Sequence, residues 1–299
     1  MAVGRFAPSP SGRLHLGNLR TALLAWLFAR SAGSAFLLRM EDLDVGRTRE
    51  EHYTTQLDDL AALGLDWDGE VVRQSTRSAL YDAAIDRLVA AGLTYPCWCT
   101  RREILEASSA PHGAPGAYAG TCRNLGELDR AEREAGGRSP ALRLRTEQEV
   151  VEVEDRLLGR YAGVVDDLVL RRNDGTAAYN LAVVVDDADQ GVEEVVRADD
   201  LLPSTPRQVL LARLLDLPVP AYAHVPLVLG PDGHRLAKRD GAVTLEDRIA
   251  RGETPADVLR LLAASLGLAG DTPTELLAGF DPDRLPREPW ALPAELLQG

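Results

Sequence analysis

The fold is decided by a stretch near the start of the chain, Arg5–Asn18, which reads RFAPSPSGRLHLGN. We predict a strand over Val3–Ala7, ended by the proline, serine and glycine residues of a turn. Beyond the turn, apolar residues return at the spacing of a helix, at Leu19, Ala22, Leu23, Trp26 and Leu27. The first turn of a helix placed after a strand and a loop offers free N–H groups and a positive dipole to a phosphate.

The rest of the chain carries the same alternation of strands and helices. Further strand patterns lie at Ala35–Leu38, Ala178–Val185, Val192–Arg197 and Val225–Leu229. Apolar residues at helical spacing run from Tyr81 to Val89 and stop before Gly92. These patterns predict an α/β fold in the first part of the chain and again after residue 165.

The sequence marks the starts of two later helices clearly, but it contains no such signal near the end of the chain. Thr205 is a predicted capping residue, with proline at the first helical position and glutamine at the third. Thr254, followed by Pro255 and with Asp257 at the third position, repeats this arrangement ahead of the apolar run Val258–Leu266. From Pro282 the chain is rich in proline, and we expect a poorly packed terminus there.

Residues 93–165 interrupt the alternation with cysteines, a loop at Ser108–Gly120 and a stretch rich in arginine and glutamate. We interpret them as an insertion. The predicted organisation is therefore residues 1–92 as the first half of a nucleotide-binding domain, 93–165 as the insertion, 166–229 as the second half, and 230–299 as a lysine-containing loop with a helical region.

Composition limits the class of protein. The 299 residues have a formal net charge of −13 and 45% hydrophobic content, as in a globular chain that buries a substantial core. The negative charge argues against a general nucleic-acid binder, so an RNA partner must meet a local basic patch. The start MAVGRFAPSP has no apolar signal-peptide run, and no stretch approaches the roughly 20 apolar residues of a membrane span. We expect a cytoplasmic protein with no membrane partner.

A second glycine-punctuated basic loop follows the strand predicted at Val225–Leu229. It reads GPDGHRLAKR over Gly230–Arg239 and contains the chain's only lysine, Lys238. A lysine ammonium is a mobile point charge suited to a transferring phosphate. Either loop alone is typical of a solvated turn, but a phosphate-sized loop after the first strand and a lysine loop after the last one together predict a nucleotide site.

These segments resemble the two signatures of the class I aminoacyl-tRNA synthetases. Arg5–Asn18 is similar to the first signature and Arg235–Arg239 to the second. Within the class, Arg39–Asp42, Tyr179–Ala182 and Val185–Asp187 resemble the glutamyl branch. The resemblance covers nearly all of the chain. It implies an α/β, Rossmann-type nucleotide-binding fold with a zinc-containing insertion and a small helical C-terminal extension.

The resemblance also implies two sets of site residues. His15 and Lys238 would be catalytic and act on the phosphates of ATP, with Mg²⁺ neutralising part of the phosphate charge. The residues that match the family's ATP site are Pro8, Ser9, Gly12, His15, Gly17, Asn18, Arg235, Leu236, Ala237, Lys238 and Arg239. Those that match its glutamate site are Arg5, Phe6, Ala7, Pro8, Ser9, Glu41, Tyr179 and Arg197.

The charges of the glutamate set complement those of the amino acid. Arg197 would bind the side-chain carboxylate and Glu41 the α-ammonium, while the carboxylate that Arg5 takes stays open. The ATP set departs from the family pattern at three positions. Asn18 replaces a histidine found in many relatives, and Arg235 and Ala237 replace a lysine and a serine, which removes one imidazole and one hydroxyl but keeps the charge of the loop.

The cysteines suggest a metal site. Cys97, Cys99 and Cys122 supply three thiolates, one short of the four ligands of a closed structural zinc site. The resemblance implies that a Tyr-x-x-x-Cys pattern completes the site with Tyr118, and that one structural Zn²⁺ holds the insertion where RNA approaches. His112 or water is the alternative fourth ligand.

The resemblance implies ATP-dependent activation of L-glutamate to glutamyl-adenylate. Because the chain ends about 60 residues after Arg239 and carries the Tyr-x-x-x-Cys pattern, it is similar to the glutamyl-Q subfamily. Members of that subfamily are understood to attach glutamate to the queuosine base in the anticodon of tRNA(Asp). We expect a monomer whose partners are ATP, L-glutamate and this tRNA. The alternatives are a short glutamyl-tRNA synthetase that charges a tRNA 3′ end, a non-catalytic paralogue and a related nucleotidylyltransferase.

Overall fold

The strand, loop and helix predicted from Arg5–Asn18 are present. In the computed structural model, which describes residues 3–100, 102–104, 118–236 and 243–297, β1 covers Gly4–Phe6 and α1 covers Leu16–Ser31. Apolar side chains of α1 are buried along its whole length, so this helix lies in the protein interior.

Strands and helices alternate along the described chain, and the predicted α/β class is confirmed. The further strands are β2 (Phe36–Met40), β3 (Val72–Arg73), β4 (Thr94–Cys97), β5 (Ala141–Leu144), β6 (Val150–Asp155), β7 (Gly159–Val164), β8 (Val169–Arg171), β9 (Glu194–Ala198), β10 (Ala221–Val225), β11 (Val228–Leu229) and β12 (Trp290–Ala291). The further helices are α2 (Glu50–Ala62), α3 (Ser78–Ala90), α4 (Glu127–Ala135), α5 (Tyr179–Asp189), α6 (Thr205–Leu214), α7 (Leu245–Ala250), α8 (Pro255–Ala264) and α9 (Pro273–Gly279).

A seven-stranded sheet forms the centre, in the order β3-β2-β1-β9-β10-β6-β7. Neighbouring strands are parallel except for the antiparallel pair β6 and β7. The strand order reverses between β1 and β9, and ligands bind at the carboxyl ends of parallel strands at such a switch point. There the ends of β2, β1 and β9 carry Glu41, Ala7 and Arg197 to one edge of the sheet.

The two faces of the central sheet form separate cores. Successive residues of a strand point to opposite faces, and Val195 and Val196 accordingly belong to different apolar clusters. One cluster includes side chains of α1, α8 and α9, and the other includes side chains of α3, α5 and α6. Within the described residues, no helix combines the length and the apolar character needed to cross a membrane.

A smaller antiparallel sheet, in the order β4-β5-β8, supports the cysteines, since Cys97 is the last residue of β4. The two sheets do not follow the predicted boundaries between the segments of the chain. β6 and β7 lie within residues 93–165 but pair in the central sheet, and β8 lies after residue 165 but pairs with β5. The four-segment domain organisation stays a prediction.

The strand predicted at Ala178–Val185 is wrong, because α5 occupies this segment. Every residue of Leu181–Asp187 is buried, so the helix has no polar face there, and periodicity cannot distinguish it from a buried strand. The strand predicted at Val192–Arg197 is confirmed as β9. The run Val225–Leu229 is divided between β10 and β11, because Pro226 has no N–H for a sheet ladder.

Of the two predicted helix starts, one cap is confirmed and one is wrong. The Thr254 hydroxyl accepts a hydrogen bond from the Asp257 N–H and caps α8. α6 begins at Thr205 itself, after the 3-10 helix Asp199–Ser204, and the Thr205 hydroxyl contacts Arg197 instead of capping. The Thr205 hydroxyl therefore links α6 to β9 and does not cap its own helix.

The poorly packed terminus predicted from Pro282 is also wrong. β12 pairs in parallel with β11, and Leu285, Leu292 and Leu297 are buried against the core that contains α1. Proline prevents continuous helix but does not prevent the leucines between prolines from reaching the core.

The packing of this C-terminal segment is testable. Leu292→Ala removes a side chain that is 2% exposed, and we expect it to lower the free energy of unfolding by about 2 to 4 kcal/mol, because a core cavity is left behind. Urea denaturation followed by circular dichroism measures this change. Leu128→Ala, at a side chain that is 88% exposed, is the control and should change stability by less than about 0.5 kcal/mol. Equal stability of both variants would contradict the packing described.

Candidate active site

A cavity of about 560 Å³ opens at the carboxyl ends of β1 and β9, where the strand order reverses. All eight residues predicted to bind glutamate line it. Six residues of the predicted ATP set also line it, namely Pro8, Ser9, Gly12, His15, Asn18 and Arg235. The fold therefore brings segments from the two ends of the chain to one cavity.

The other predicted ATP-site residues are placed differently. The side chain of Leu236 lies in the hydrophobic core. Gly17 lies against the ring of His15, where an added Cβ would be 2.9 Å from His15 Cε1, so glycine is needed for the ring to keep its position. The remaining three, Ala237, Lys238 and Arg239, lie outside the described residues.

Described residues on both sides of the lysine loop lie near His15. Arg235 lines the same cavity and forms an ion pair with Asp200. Beyond the loop, the carbonyl of Val243 accepts a hydrogen bond of 2.7 Å from the N–H of Leu16, at the start of α1. The flank before the loop thus reaches the cavity that His15 lines, and the flank after the loop is bonded to the helix start that was predicted to face phosphate.

Gln56 on α2 holds the loop between β1 and α1. Its Nε2 donates to the carbonyls of Ser9 and Gly12, at 3.0 and 2.6 Å, and its side chain is buried. The backbone N–H of Glu41 donates to the carbonyl of Pro8 at 2.8 Å. These contacts use backbone carbonyls, so they fix the loop without occupying side chains that line the cavity.

His15 is the N-cap residue of α1. Its Nδ1 accepts a hydrogen bond of 3.2 Å from the Asn18 N–H, and Asn18 Oδ1 accepts one of 3.2 Å from the His15 N–H. Because Nδ1 is an acceptor, the neutral ring carries its proton on Nε2. Asn18 therefore orients His15 through a reciprocal capping box.

A buried ion cluster lies beneath the cavity. Asp187 on α5 accepts hydrogen bonds from Arg5 Nε at 3.2 Å and from Arg39 Nη2 at 2.8 Å. Arg39 has no exposed surface, and its Nη2 also lies 3.7 Å from a carboxylate oxygen of Glu41. Burial raises the pKa of Glu41 to about 6, although Arg39 and Arg5 oppose that shift. The cluster thus places a desolvated carboxylate between arginines.

Arg197 on β9 is held by other partners. Its Nε donates to His224 Nε2 at 3.0 Å and its Nη2 donates to the Thr205 hydroxyl at 2.8 Å. The third nitrogen, Nη1, is buried without a hydrogen-bond partner. A buried donor of this kind is costly unless a ligand supplies an acceptor.

A second cavity of about 960 Å³ adjoins the first. Ser9, Glu41, Arg47 and Tyr179 line both cavities. The second cavity extends to the cysteine-containing sheet, where its walls include Cys97, Cys99, Trp98, Arg138 and Arg143. A path therefore leads from the cavity at the strand ends to the region of the cysteines.

The cysteines form a donor set that fits a zinc ion. Their three Sγ atoms lie within 4.8 Å of one another, and Cys99 Sγ is 3.6 Å from Cys122 Sγ. Ligands around a tetrahedral zinc with bonds of about 2.3 Å are roughly 3.8 Å apart. The Tyr118 hydroxyl lies 3.3 Å from Cys97 Sγ and 3.7 Å from Cys99 Sγ, at distances that suit a fourth ligand of the same ion. The alternative ligand His112 lies outside the described residues.

The surroundings keep Tyr118 in that position. Its ring stacks on the Arg143 guanidinium at 3.7 Å, and its hydroxyl accepts a hydrogen bond of 2.8 Å from the Cys122 N–H. Burial raises the pKa of this hydroxyl above its ordinary value. A bound cation would have to displace the proton for the phenolate to act as a ligand.

Comparison with known proteins assigns the family. Residues 1–280 match the model for tRNA synthetases class I (E and Q), catalytic domain. The chain belongs to this family. A glutamate tRNA ligase from Elizabethkingia meningosepticum, solved in complex with its amino acid, has 27% identity and a TM-score of 0.84, and the match covers 99% of this chain and 68% of that chain. The predicted class I synthetase fold is confirmed.

Two relatives of this class I synthetase differ in the share of their own length that it matches. A protein named Glutamyl-Q tRNA(Asp) synthetase from Nocardia farcinica is 68% identical, over 97% of this chain and 93% of its own length. A Glutamate--tRNA ligase from Oleidesulfovibrio alaskensis is 42% identical, over 99% of this chain and 64% of its own length. The predicted membership of the glutamyl branch is confirmed.

Sequence analysis gave no role in the site to several residues that support this synthetase's cavity. Gln56 donates to backbone carbonyls of the loop after β1, and Thr205, His224 and Asp155 form contacts behind Arg197. Arg39 and Asp187 belong to motifs that resemble the glutamyl branch, but the sequence did not predict the buried ion pair between them. For His224, a single histidine in an apolar strand gives no signal of a role in the site.

The metal site yields a direct test. We expect about one zinc per purified chain, and Cys97→Ser should remove most of it, because one of three thiolate ligands is lost. Metal analysis by mass spectrometry measures the stoichiometry. Tyr118→Phe is the matched variant: it should keep the metal through the thiolates but release it to a chelator about tenfold faster. Stoichiometric zinc in Cys97→Ser would contradict the ligand assignment.

Proposed function

We propose that this synthetase uses ATP to activate L-glutamate and transfers the glutamyl group to the queuosine base in the anticodon of tRNA(Asp). The observation that carries the first step is the cavity at the switch point, whose wall includes the carboxylate of Glu41 together with the guanidinium groups of Arg5 and Arg197. The second step is supported by the 68% identity to a Glutamyl-Q tRNA(Asp) synthetase.

The cavity supplies a complementary charge for each charged group of glutamate. Arg197 Nη1, buried and without a partner, binds the side-chain carboxylate, and Glu41 binds the α-ammonium. Arg5 is oriented by Asp187 and contributes positive charge for a carboxylate. Ser9 and Tyr179 add hydroxyl groups, and Phe6, Ala7 and Pro8 complete the wall from β1 onward.

ATP occupies the part of the cavity beside the start of α1. Pro8, Ser9 and Gly12 form the loop that receives the phosphates, with the positive helix end and His15 behind it. Arg235 adds a cation from the second loop, and Lys238 of the same loop carries the mobile charge for the transferring phosphate. Mg²⁺ accompanies ATP and neutralises phosphate charge.

The chemistry is a displacement followed by an acyl transfer. A glutamate α-carboxylate oxygen forms a bond to the α-phosphorus of ATP, and the bond to the bridging oxygen breaks to release pyrophosphate. An acceptor hydroxyl of queuosine then attacks the mixed anhydride, loses its proton and releases AMP. The protein contributes by holding the two reactants in register and by stabilising charge with its arginines.

The second cavity gives the acceptor a route to the anhydride. It shares Ser9, Glu41 and Tyr179 with the first cavity, and its arginines Arg138 and Arg143 provide local positive charge in an acidic chain. A structural zinc bound by Cys97, Cys99 and Cys122, with Tyr118 as the fourth ligand, would hold this wall in place. We propose that the protein acts as a monomer in the cytoplasm.

The alternatives are less well supported. The alternative of a glutamyl-tRNA synthetase that charges a 3′ end is represented among the relatives by ligases of 42% and 45% identity, against 68% for a glutamyl-Q enzyme. A non-catalytic paralogue would not need a buried donor such as Arg197 Nη1. A nucleotidylyltransferase for another substrate would not need an acid between two arginines.

Two measurements test the proposal. Glutamate-dependent exchange of pyrophosphate into ATP, measured without RNA, should be positive and would exclude a non-catalytic protein. Labelled glutamate should then appear in the anticodon fragment of ribonuclease-digested tRNA(Asp) that carries queuosine, and not in the same tRNA lacking queuosine. Label at the 3′-terminal adenosine would support the glutamyl-tRNA synthetase alternative instead.

The titration of Glu41 predicts a pH dependence. Its pKa is raised to about 6, so the carboxyl of the free enzyme becomes neutral as pH falls through about 6 and no longer pairs with the ammonium. We expect the KM for glutamate in the exchange assay to rise below about pH 6, by up to about tenfold per pH unit. Glu41→Gln is the control: its KM should be high and should lack this extra dependence, while changes due to ATP appear in both proteins. Parallel profiles would contradict the role of Glu41.

A further inference from the structure

Three adjacent strands carry a chain of buried polar side chains that ends at Arg197. Arg197 on β9 is the register partner of His224 on β10, and Asp155 ends β6 on the other side of β10. His224 Nδ1 lies 2.6 Å from Asp155 Oδ2, and His224 Nε2 lies 3.0 Å from Arg197 Nε. His224 has no exposed surface, and Asp155 and Arg197 are also buried.

The partners of His224 determine which ring nitrogen carries the proton. Arg197 Nε can only donate, so His224 Nε2 must accept and carries no hydrogen. The proton is therefore on Nδ1 and is donated to Asp155, which also accepts from the His224 backbone N–H at 3.1 Å. Burial lowers the pKa of His224, and Arg197 adds to that effect against the opposing influence of Asp155. A neutral ring in one tautomer is the form that fits these contacts.

This arrangement sets the direction of the Arg197 guanidinium. Nε is bound by His224 and Nη2 by the Thr205 hydroxyl, so two of its three nitrogens are tied to the protein and Nη1 is left without a partner. The guanidinium is planar and rigid, so fixing two nitrogens also fixes the third. A neutral histidine bound to Nε leaves the positive charge of Arg197 uncompensated for a carboxylate ligand.

We propose that His224, oriented by Asp155, is a positioning residue that aims Arg197 Nη1 at the side-chain carboxylate of the amino acid. The inference rests on the proposed function, because it takes glutamate as the substrate that Arg197 binds. It assigns a role to two buried residues that do not line the cavity at the strand ends. It also accounts for the Thr205 hydroxyl, which serves Arg197 instead of capping α6.

A matched pair of variants separates the two bonds of the ring. His224→Gln can place an amide oxygen near the position of Nε2 and keep an acceptor for Arg197. His224→Asn can keep a donor near Nδ1 for Asp155 but leaves Arg197 Nε without an acceptor. In glutamate-dependent pyrophosphate exchange, we expect His224→Asn to raise the KM for glutamate about tenfold or more, and His224→Gln to stay within about threefold of wild type. The KM for ATP should change by less than about twofold in both.

A double-mutant cycle tests whether His224 acts through Arg197. Arg197→Ala should raise the KM for glutamate strongly, and adding His224→Asn to it should have little further effect, because the positioned group is already gone. Additive effects in the cycle would overturn the proposal. So would a KM for glutamate unchanged in His224→Asn, or a rise of equal size for glutamate and ATP, which indicates a purely structural role.

Separate control measurements distinguish a loss of folding from a loss of function. Each variant's melting temperature is compared with wild type. If the histidine variants do not fold, Thr205→Val carries the test, because it removes with little change in volume the hydroxyl that accepts from Arg197 Nη2 and lies 3.2 Å from His224 Nε2. It should raise the KM for glutamate and not that for ATP, and an unchanged KM would overturn the proposal. If wild-type protein shows no glutamate-dependent exchange, the proposed function fails and this inference fails with it. Normal wild-type exchange with unaltered variants overturns the positioning role alone.

Discussion

The ion cluster around Asp187 is the interaction on which the active site depends. Asp187 on α5 binds Arg5 on β1 and Arg39 on β2, so one carboxylate joins a helix to two neighbouring strands. Arg39 has no exposed surface, and loss of Asp187 would remove its nearest carboxylate in a region of low dielectric, where breaking a buried ion pair costs several kcal/mol. The same cluster holds Arg39 and Arg5 where their charges oppose the rise in the pKa of Glu41 that burial causes.

Charged groups around the cavity are partly committed to the protein before a ligand arrives. Arg5 is bound by Asp187, Arg197 by His224 and Thr205, and His15 by Asn18. Each of these contacts restricts the orientation of a side chain. Less conformational entropy of these side chains is then lost when a ligand binds. A site of this kind depends on a second layer of buried polar residues, and these residues come from α5, β6 and β10 as well as from the strands beside the cavity.

The central sheet and the cysteine-containing sheet meet at the two cavities. Tyr179 is the first residue of α5 and lines both cavities, and a short connection joins α5 to the preceding strand, β8. β8 pairs in the smaller sheet, whereas α5 packs on the larger one. The polypeptide therefore crosses from one sheet to the other beside Glu41, and this crossing joins the cavity for the amino acid to the cavity that leads towards the cysteines.

The sequence by itself determined the elements whose signals are local. The turn chemistry of Arg5–Asn18, the cap at Thr254 and the spacing of Cys97 and Cys99 act over a few residues, and the structure contains the strand, the helices and the donor cluster they predict. The resemblance extended this to a set of cavity-lining residues. Only the tertiary structure decided that Tyr179–Val185 lies in a helix and that the tail after Pro282 packs in the core. A helix that is buried on all sides has no polar face, so its sequence pattern cannot be distinguished from that of a strand. The presence of proline does not indicate whether the residues around it are packed. It also decided the partners of Arg197, because Asp155 and His224 meet it through strand pairing between segments distant in the chain, which no local pattern records.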